Sequence, residues 1–350
     1  MGARGRDREG PGGHRGVVPV EPLVVGATSS CSRHGGVRNS GPVPPAGGRV
    51  RNSGPVLLTG GGVRKPGPVL LTGGGGLLGR TLASQLRERG FDVHSPLRAD
   101  LDVTDVAAVG AALVALRPEI VVHCAAATAV DRCELEPQWA WDQNVVATAN
   151  VVGAARHVGA TVVLVSTDYV FDGASCRPYR PDDTPAPLGV YGRTKLEAER
   201  LLSDSDLVVR TAWLNGPGGP SGGCVVDTVL SLARAGRPMA FVDDQVGSPS
   251  FVADVVPAMV ELIGLGASGV HHVVNSGTAS WFDLARETVR VAGLDPGLVS
   301  PVATRDLDPP REATRPAYSV LDCSDLSPLG VGPLRPWRQA LRDLVAGSES

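Results

Sequence analysis

From Pro68 onward the chain alternates short aliphatic runs with longer stretches that are apolar at helical spacing. Val69-Leu70-Leu71, Asp92-Val93-His94, Ile120-Val121-Val122, Val162-Val163-Leu164-Val165 and Leu207-Val208-Val209 are the runs. Amphipathic segments lie between them, near residues 77–89, 105–116, 136–158 and 191–203. Parallel strands need long crossovers, and helices fill them, so this order predicts a parallel sheet with helices on both faces.

Ahead of Pro68 the pattern is lost. Residues 37–75 contain three copies of a 13-residue unit, VRNSGPVPPAGGR, VRNSGPVLLTGGG and VRKPGPVLLTGGG. Copy two resembles a strand entering a glycine turn, but two prolines in the next few residues, Pro66 and Pro68, forbid a helix there. Copy three runs into Gly76-Leu77-Leu78-Gly79-Arg80-Thr81-Leu82, which is apolar at helical spacing, so only that copy is expected to supply a strand. Residues 1–66 hold 16 of the 45 glycines and 8 of the 29 prolines, and their net charge is +7 against −10 for the remainder. Such a segment cannot bury enough apolar surface to offset its ordering entropy, and a disordered basic leader is expected.

Composition then removes several classes. No apolar run approaches the roughly 18 residues needed to cross a bilayer. The N-terminus lacks the apolar region of a secretory signal. The six cysteines form no CxxC and no regular spacing, so neither a zinc cage nor a disulfide framework is indicated. An acidic body argues against nucleic acid as the main partner. A cytoplasmic globular protein is the expectation.

Gly73-Gly74-Gly75-Gly76-Leu77-Leu78-Gly79 spells GxxGxxG between the first strand and the first helix. Glycine is needed there for positive φ, for backbone to approach a pyrophosphate, and for helix to pack close on strand, while the helix N-terminus offers free N–H groups to phosphate. The expected fold is therefore a doubly wound, Rossmann-type α/β sheet over residues 67–212. After the second strand, His94-Ser95-Pro96-Leu97-Arg98 has an arginine where a cofactor lacking the 2′-phosphate would want an acid. NADPH is favoured over NADH, with Arg98 as the phosphate reader. Asp102 and Val103 follow at a position suited to adenine.

Only two of 33 basic residues are lysines, Lys65 and Lys195, so the body has a single lysine. Val190-Tyr191-Gly192-Arg193-Thr194-Lys195 puts it four residues after a tyrosine, on one face of a helix. An ammonium can meet ribose hydroxyls and is expected to lower the tyrosine pKa, making the phenol a better proton donor to a carbonyl oxygen. At the end of the fourth strand, Val165-Ser166-Thr167-Asp168-Tyr169-Val170-Phe171-Asp172-Gly173 supplies Thr167 to polarise that carbonyl and Asp168 to hold a sugar hydroxyl.

With Thr128-Ala129-Val130-Asp131, Arg210-Thr211-Ala212-Trp213, Asp244 to Pro249 and Arg315 to Ser319, these motifs resemble the extended short-chain dehydrogenase/reductase superfamily from residue 68 to about 340. The resemblance implies a smaller α/β substrate-binding region over 213–345, partly interleaved with the first. It implies that Gly76, Leu77, Leu78, Asp102, Val103, Cys124, Ala125, Ala126, Tyr191 and Lys195 contact the cofactor, and that Thr128, Val130, Thr167, Asp168 and Trp213 face a deoxysugar. The implied reaction is NADPH-dependent reduction of the 4-keto group of dTDP-4-dehydro-L-rhamnose, with Thr167, Tyr191 and Lys195 catalytic and a homodimer as one possible assembly. Two alternatives share the architecture: a 4-ketoreductase for another deoxysugar nucleotide, and a non-catalytic NADP-binding regulatory subunit like that of methionine adenosyltransferase. Departures cluster on the sugar side, at His123-Cys124, Ala127, Asn215 and Gly223-Cys224. Some relatives bind Mg2+ through a glutamate early in the first helix; Thr81 stands there, so no metal is expected.

Overall fold

The computed structural model describes residues 67–217 and 223–347, together with the two-residue strand β1 (Val18–Pro19). Apart from β1, which pairs in parallel with Met239 and Ala240, the basic leader lies outside the described residues.

Chain order from the glycine loop is β2 (Val69–Thr72), α1 (Leu77–Glu88), β3 (Val93–His94), α2 (Val106–Leu116), β4 (Ile120–His123), α3 (Val130–Leu135), α4 (Pro137–Trp141) and α5 (Ala147–Val158). Next come β5 (Thr161–Thr167), α6 (Val190–Glu199), β6 (Leu207–Thr211), β7 (Leu214–Asn215), α7 (Val225–Arg234), β8 (Met239–Val242), β9 (Val246–Gly247) and β10 (Ser250–Phe251). The last are α8 (Val252–Gly264), β11 (Gly269–His272), β12 (Ala279–Ser280), α9 (Trp281–Val291), β13 (Val299–Val302) and α10 (Trp337–Gly347). Each of the five apolar runs lies on a strand of the same sheet, and each helical stretch is helical. The 136–158 stretch departs from a plain helix: residues Asp142–Val146 between α4 and α5 form a π-turn.

The main sheet is parallel throughout, in the order β11-β6-β5-β4-β2-β3. Its edge strand β11 was not among the apolar runs. Ser268, His271 and His272 are buried with polar partners, so this strand carries little hydrophobic signal. Side chains alternate across the pleat as period-2 geometry requires. Val69, Leu71, Val122 and Val163 join α1 and α8 in one core, whereas Leu70, Val121 and Val162 join α2 and α5 in the other.

Chain direction reverses at the middle of the sheet: β2 leads outward to β3, and the chain then crosses back to lay β4 on the other side of β2. A crevice opens at the carboxyl ends of β2 and β4, the place where open α/β sheets hold ligands. β8 and β13 form a smaller parallel sheet, packed by α7, α9 and α10 around Met239, Phe241, Leu284 and Trp337. This smaller layer does not stand apart, because α8 and β11 return to complete the main sheet.

Helix α6 is fastened to the sheet by charge. Arg210 on β6 donates to both carboxylate oxygens of Glu199, at 3.0 and 2.7 Å, with both residues buried. Ser166 on β5 donates to the same carboxylate. Removing one partner of a buried pair leaves the other without compensation and costs about 3–5 kcal/mol. Arg210→Met is expected to lower unfolding free energy by that order in urea titrations. A change below about 1 kcal/mol would show that the pair does not anchor the helix.

Candidate active site

Loop residues from the ends of β2 and β4 meet in the crevice. Gly73 has φ +76°, and a Cβ on it would lie 2.5 Å from the backbone nitrogen of Ala125. A Cβ on Gly79 would lie 2.3 Å from the carbonyl oxygen of Gly73. The first glycine is thus required by both conformation and space, and the last by helix–loop packing. Helix α1 begins at Gly76 with no side-chain cap and no acidic residue in its first turn. Its N-terminal N–H groups and positive dipole end are left for an anion, which fits the pyrophosphate of a dinucleotide.

Two cavities meet at this loop. The smaller, about 350 Å³, is lined by the glycine turn, Pro96, Leu97, Arg98, Leu101, Val103, Cys124, Ala125, Ala126 and Gln143. It suits an adenosine half. Asp102 does not line it. Its carboxylate accepts from the backbone and hydroxyl of Thr104, at 3.0 and 2.8 Å, and lies 3.6 Å from Arg98. Those bonds hold its pKa below the ordinary carboxylate value. The Asp102 carboxylate caps its own turn, and Leu101 and Val103 form the wall. Sequence reasoning missed Pro96, Leu97 and Leu101, since apolar loop residues carry no chemical signature, and Gln143, which comes from the distant π-turn.

The larger cavity, about 600 Å³, collects Gly76, Leu77, Leu78, Gly79, Cys124, Thr128, Val130, Thr167, Asp168, Tyr191, Lys195 and Trp213 in one wall-to-wall space. Ser166, Tyr169, Thr211, Asn215, Cys224 and Trp281 complete it.

Three elements position the catalytic candidates. Lys195 is buried and donates from Nζ to the carbonyl of Val165 at 2.7 Å, which fixes α6 against the end of β5. Burial lowers its pKa to about 8, opposed by the charge of Glu199 one turn on. Asn144, presented by the π-turn, accepts from the backbone N–H of Ala127 at 2.7 Å and donates to the Thr194 hydroxyl at 2.9 Å. That residue ties the β4 loop to α6 beside Tyr191; π-turns often mark such functional places. Glu134 accepts from the Val190 N–H at 2.8 Å and so caps α6 at its first residue.

The Tyr191 ring packs edge-on against Tyr169, with ring centroids 5.7 Å apart. Its pKa is pushed up, chiefly by burial, and the nearby Thr167 hydroxyl only partly offsets this. Here the structure corrects the sequence reading. Lys195 spends a proton on the Val165 carbonyl, and the loss of hydration dominates the phenol. Tyr191 therefore keeps its proton at neutral pH, the form a proton donor needs.

Asp168 donates nothing and is buried; its Oδ1 accepts from the Thr167 hydroxyl at 3.0 Å and its Oδ2 has no partner. Burial raises its pKa to about 6, opposed by the hydroxyls of Ser319 and Thr167. The hydroxyl of Thr211 and Oδ1 of Asn215 are likewise buried without partners. Unpaired buried polar atoms cost free energy unless something meets them, so this cluster marks where a polyhydroxylated ligand would bind. A C-terminal segment closes the site: Arg315, fully buried, donates to both oxygens of Asp131 at 2.5 and 2.8 Å, and Asp131 also accepts from Ala313 N–H. Among the described residues no group of three or more metal-ligating side chains is found, and no helix is long and apolar enough to cross a membrane.

Stability should carry the imprint of Asp168. Because folding raises its pKa from the ordinary 3.8 to about 6, its contribution is intact below the unfolded value and is lost as pH rises through about 6. Asp168→Asn is expected to remove that loss, gaining on the order of 3 kcal/mol at pH 8 relative to pH 3.5. Parallel stability–pH curves for the parent and the variant would refute it.

Comparison with known proteins places this site in a family. The model described as "RmlD substrate binding domain" matches residues 67–349. A dTDP-4-dehydrorhamnose reductase of Streptomyces griseus is 43% identical over 277 residues, spanning 77% of this chain and 90% of the relative. A dTDP-4-keto-6-deoxy-D-glucose reductase of Streptomyces niveus is 38% identical over 270 residues, 76% and 92% of the two chains. Among solved structures, the dTDP-4-dehydrorhamnose reductase of Bacillus anthracis in complex with NADP superposes with a TM-score of 0.76 at 33% identity, covering 81% of this chain and 99% of that one.

Proposed function

This chain belongs to the RmlD substrate binding domain family, and from that premise we propose that it reduces the 4-keto group of dTDP-4-dehydro-L-rhamnose with NADPH, giving dTDP-L-rhamnose. The observation that carries the reading is the Thr167–Tyr191–Lys195 set, brought from β5 and α6 into one cavity that also opens onto the glycine loop.

NADPH supplies the hydride when bound. The rest is the work of the chain. The glycine turn and the start of α1 hold the pyrophosphate, and Arg98 stands at the mouth of the adenosine cavity for a 2′-phosphate. Lys195, fixed by the Val165 carbonyl, keeps further protons directed at sugar hydroxyls. Thr167 and Tyr191 converge on one point, where a carbonyl oxygen would accept both hydroxyls. Tyr191 delivers its proton to that oxygen as negative charge develops there. Asp168, Thr211 and Asn215 offer unpaired oxygens to sugar hydroxyls.

A regulatory, non-catalytic role would not require a protonated phenol beside Thr167 and Lys195 in the cavity, and the reductase reading is preferred. Reduction of a different 4-keto-6-deoxyhexose nucleotide is the second reading. It is favoured by Asn215 and Cys224, which line the sugar side of the cavity, and by the relative that acts on a D-glucose derivative.

Loss of NADPH absorbance on adding dTDP-4-dehydro-L-rhamnose tests the main reading directly. Its D-gluco counterpart tests the second. Tyr191→Phe is expected to abolish turnover and leave NADPH affinity within a few-fold, whereas Lys195→Arg should lose both, since a planar guanidinium cannot replace the compact ammonium. Retention of most of the kcat by Tyr191→Phe would sink the mechanism. The enzyme should prefer NADPH over NADH, with Arg98→Ala narrowing the gap; equal kcat/KM for the two cofactors in the parent would remove Arg98 from its role.

A further inference from the structure

One wall of the larger cavity is built from two indoles. Trp213, two residues beyond β6, and Trp281, the first residue of α9, stack with ring centroids 3.7 Å apart and planes 10° from parallel. Both face the cavity that holds Tyr191 and Asp168. Trp213 has a backbone φ of +44°, a conformation that large side chains rarely adopt. Such a conformation persists only where the surroundings over-determine it. Two clamps do so here. The Trp213 carbonyl accepts from the Asn215 side chain at 2.7 Å and from the Ser250 N–H at 3.1 Å. The ring is held by Trp281 on its face and by Gly247, where a Cβ would come within 2.6 Å of it.

Trp281 is itself firmly placed. Ser280 caps α9 by accepting from the Asp283 N–H at 3.0 Å, and Asp283 returns the bond to Ser280. The strand before it, β12, pairs antiparallel with β9, which carries Gly247. One indole thus belongs to the dinucleotide sheet and the other to the smaller layer, and the wall exists only when the two layers are packed together.

We propose that Trp281 is a positioning residue for the sugar half of the substrate: by stacking on Trp213 it holds that indole as a flat apolar wall in the cavity that Asp168, Thr211 and Asn215 also line. A 6-deoxyhexose has hydroxyls as well as an edge of ring C–H and methyl groups, and the cavity offers both unpaired oxygens and an indole surface. The proposal rests on the nucleotide-sugar reading above. The ring partner of Trp281 is Trp213, so its effect is assigned to sugar affinity.

The test uses the full chain and its Trp281→Ala, Trp281→Leu and Trp281→Phe variants. Two quantities are read: kcat and KM for the 4-keto nucleotide sugar at saturating NADPH, and NADPH affinity by protein fluorescence. Trp281→Ala and Trp281→Leu are expected to raise KM about tenfold, the loss one stacked aromatic pair can account for. Their kcat should stay within about threefold and NADPH affinity within twofold of the parent. Trp281→Phe, which keeps a stacking ring, should recover most of the KM. The stacked pair should also give an exciton couplet in the far-ultraviolet circular dichroism, absent from all three variants. A parent-like KM in Trp281→Ala, or an equal loss of NADPH affinity and KM, would overturn the proposal. If no 4-keto sugar is turned over by the parent, the couplet and binding of dTDP-L-rhamnose by fluorescence titration still decide it. Parent and Trp281→Ala binding that product equally would refute the positioning role, and tenfold weaker binding by the variant would sustain it while the substrate assignment is revised.

Discussion

The buried pair of Glu199 and Arg210 is the interaction on which the site depends. A carboxylate and a guanidinium are costly to bury separately, and the cost falls only when donors and acceptors meet with good geometry. Arg210 does so bidentately, and Ser166 adds a further donor. The result couples three elements that carry the chemistry: β5, ending in Thr167; β6, leading to Trp213; and α6, bearing Tyr191 and Lys195. The charge of Glu199 also supports Lys195, one turn earlier, against the loss of hydration that burial imposes.

Above that anchor, each functional group is held by one specific partner. Lys195 is fixed by a backbone carbonyl, the head of α6 by Glu134, and the loop after β4 by Asn144 from the π-turn. The C-terminal segment is drawn over the site by the pair of Arg315 with Asp131. Three buried polar atoms without partners, on Asp168, Thr211 and Asn215, belong to residues that line the large cavity above this network.

Much of the fold was legible in the chain before any tertiary contact was known. Strand and helix alternation has a local cause, the period of apolar residues, and so does the glycine turn, where positive φ at Gly73 and close packing at Gly79 admit no Cβ. The Tyr191–Lys195 spacing speaks of one helix face. Less legible were β11, whose buried histidines are polar and bonded to distant partners, and the cavity members contributed by remote segments. Asn144, Arg315 and Trp281 lie far in sequence from Tyr191 and carry no motif that points to it. Only the C-terminal Arg315-Pro316 string, through its resemblance to other chains, hinted at a role.

The sequence by itself determined the parallel sheet, the position of the dinucleotide loop and the placing of Tyr191 and Lys195 on one helix face, because these follow from short-range periodicity and from residue types confined to a few consecutive positions. Tertiary structure alone decided the protonation of Tyr191 and the walls of the large cavity. Burial sets the phenol of Tyr191 and the carboxyl of Asp168, outweighing the nearby lysine that sequence proximity made prominent. The stacked indoles of Trp213 and Trp281 come from layers 68 positions apart in the chain. Hydration lost and partners gained are properties of the packed molecule, and no local spacing encodes them.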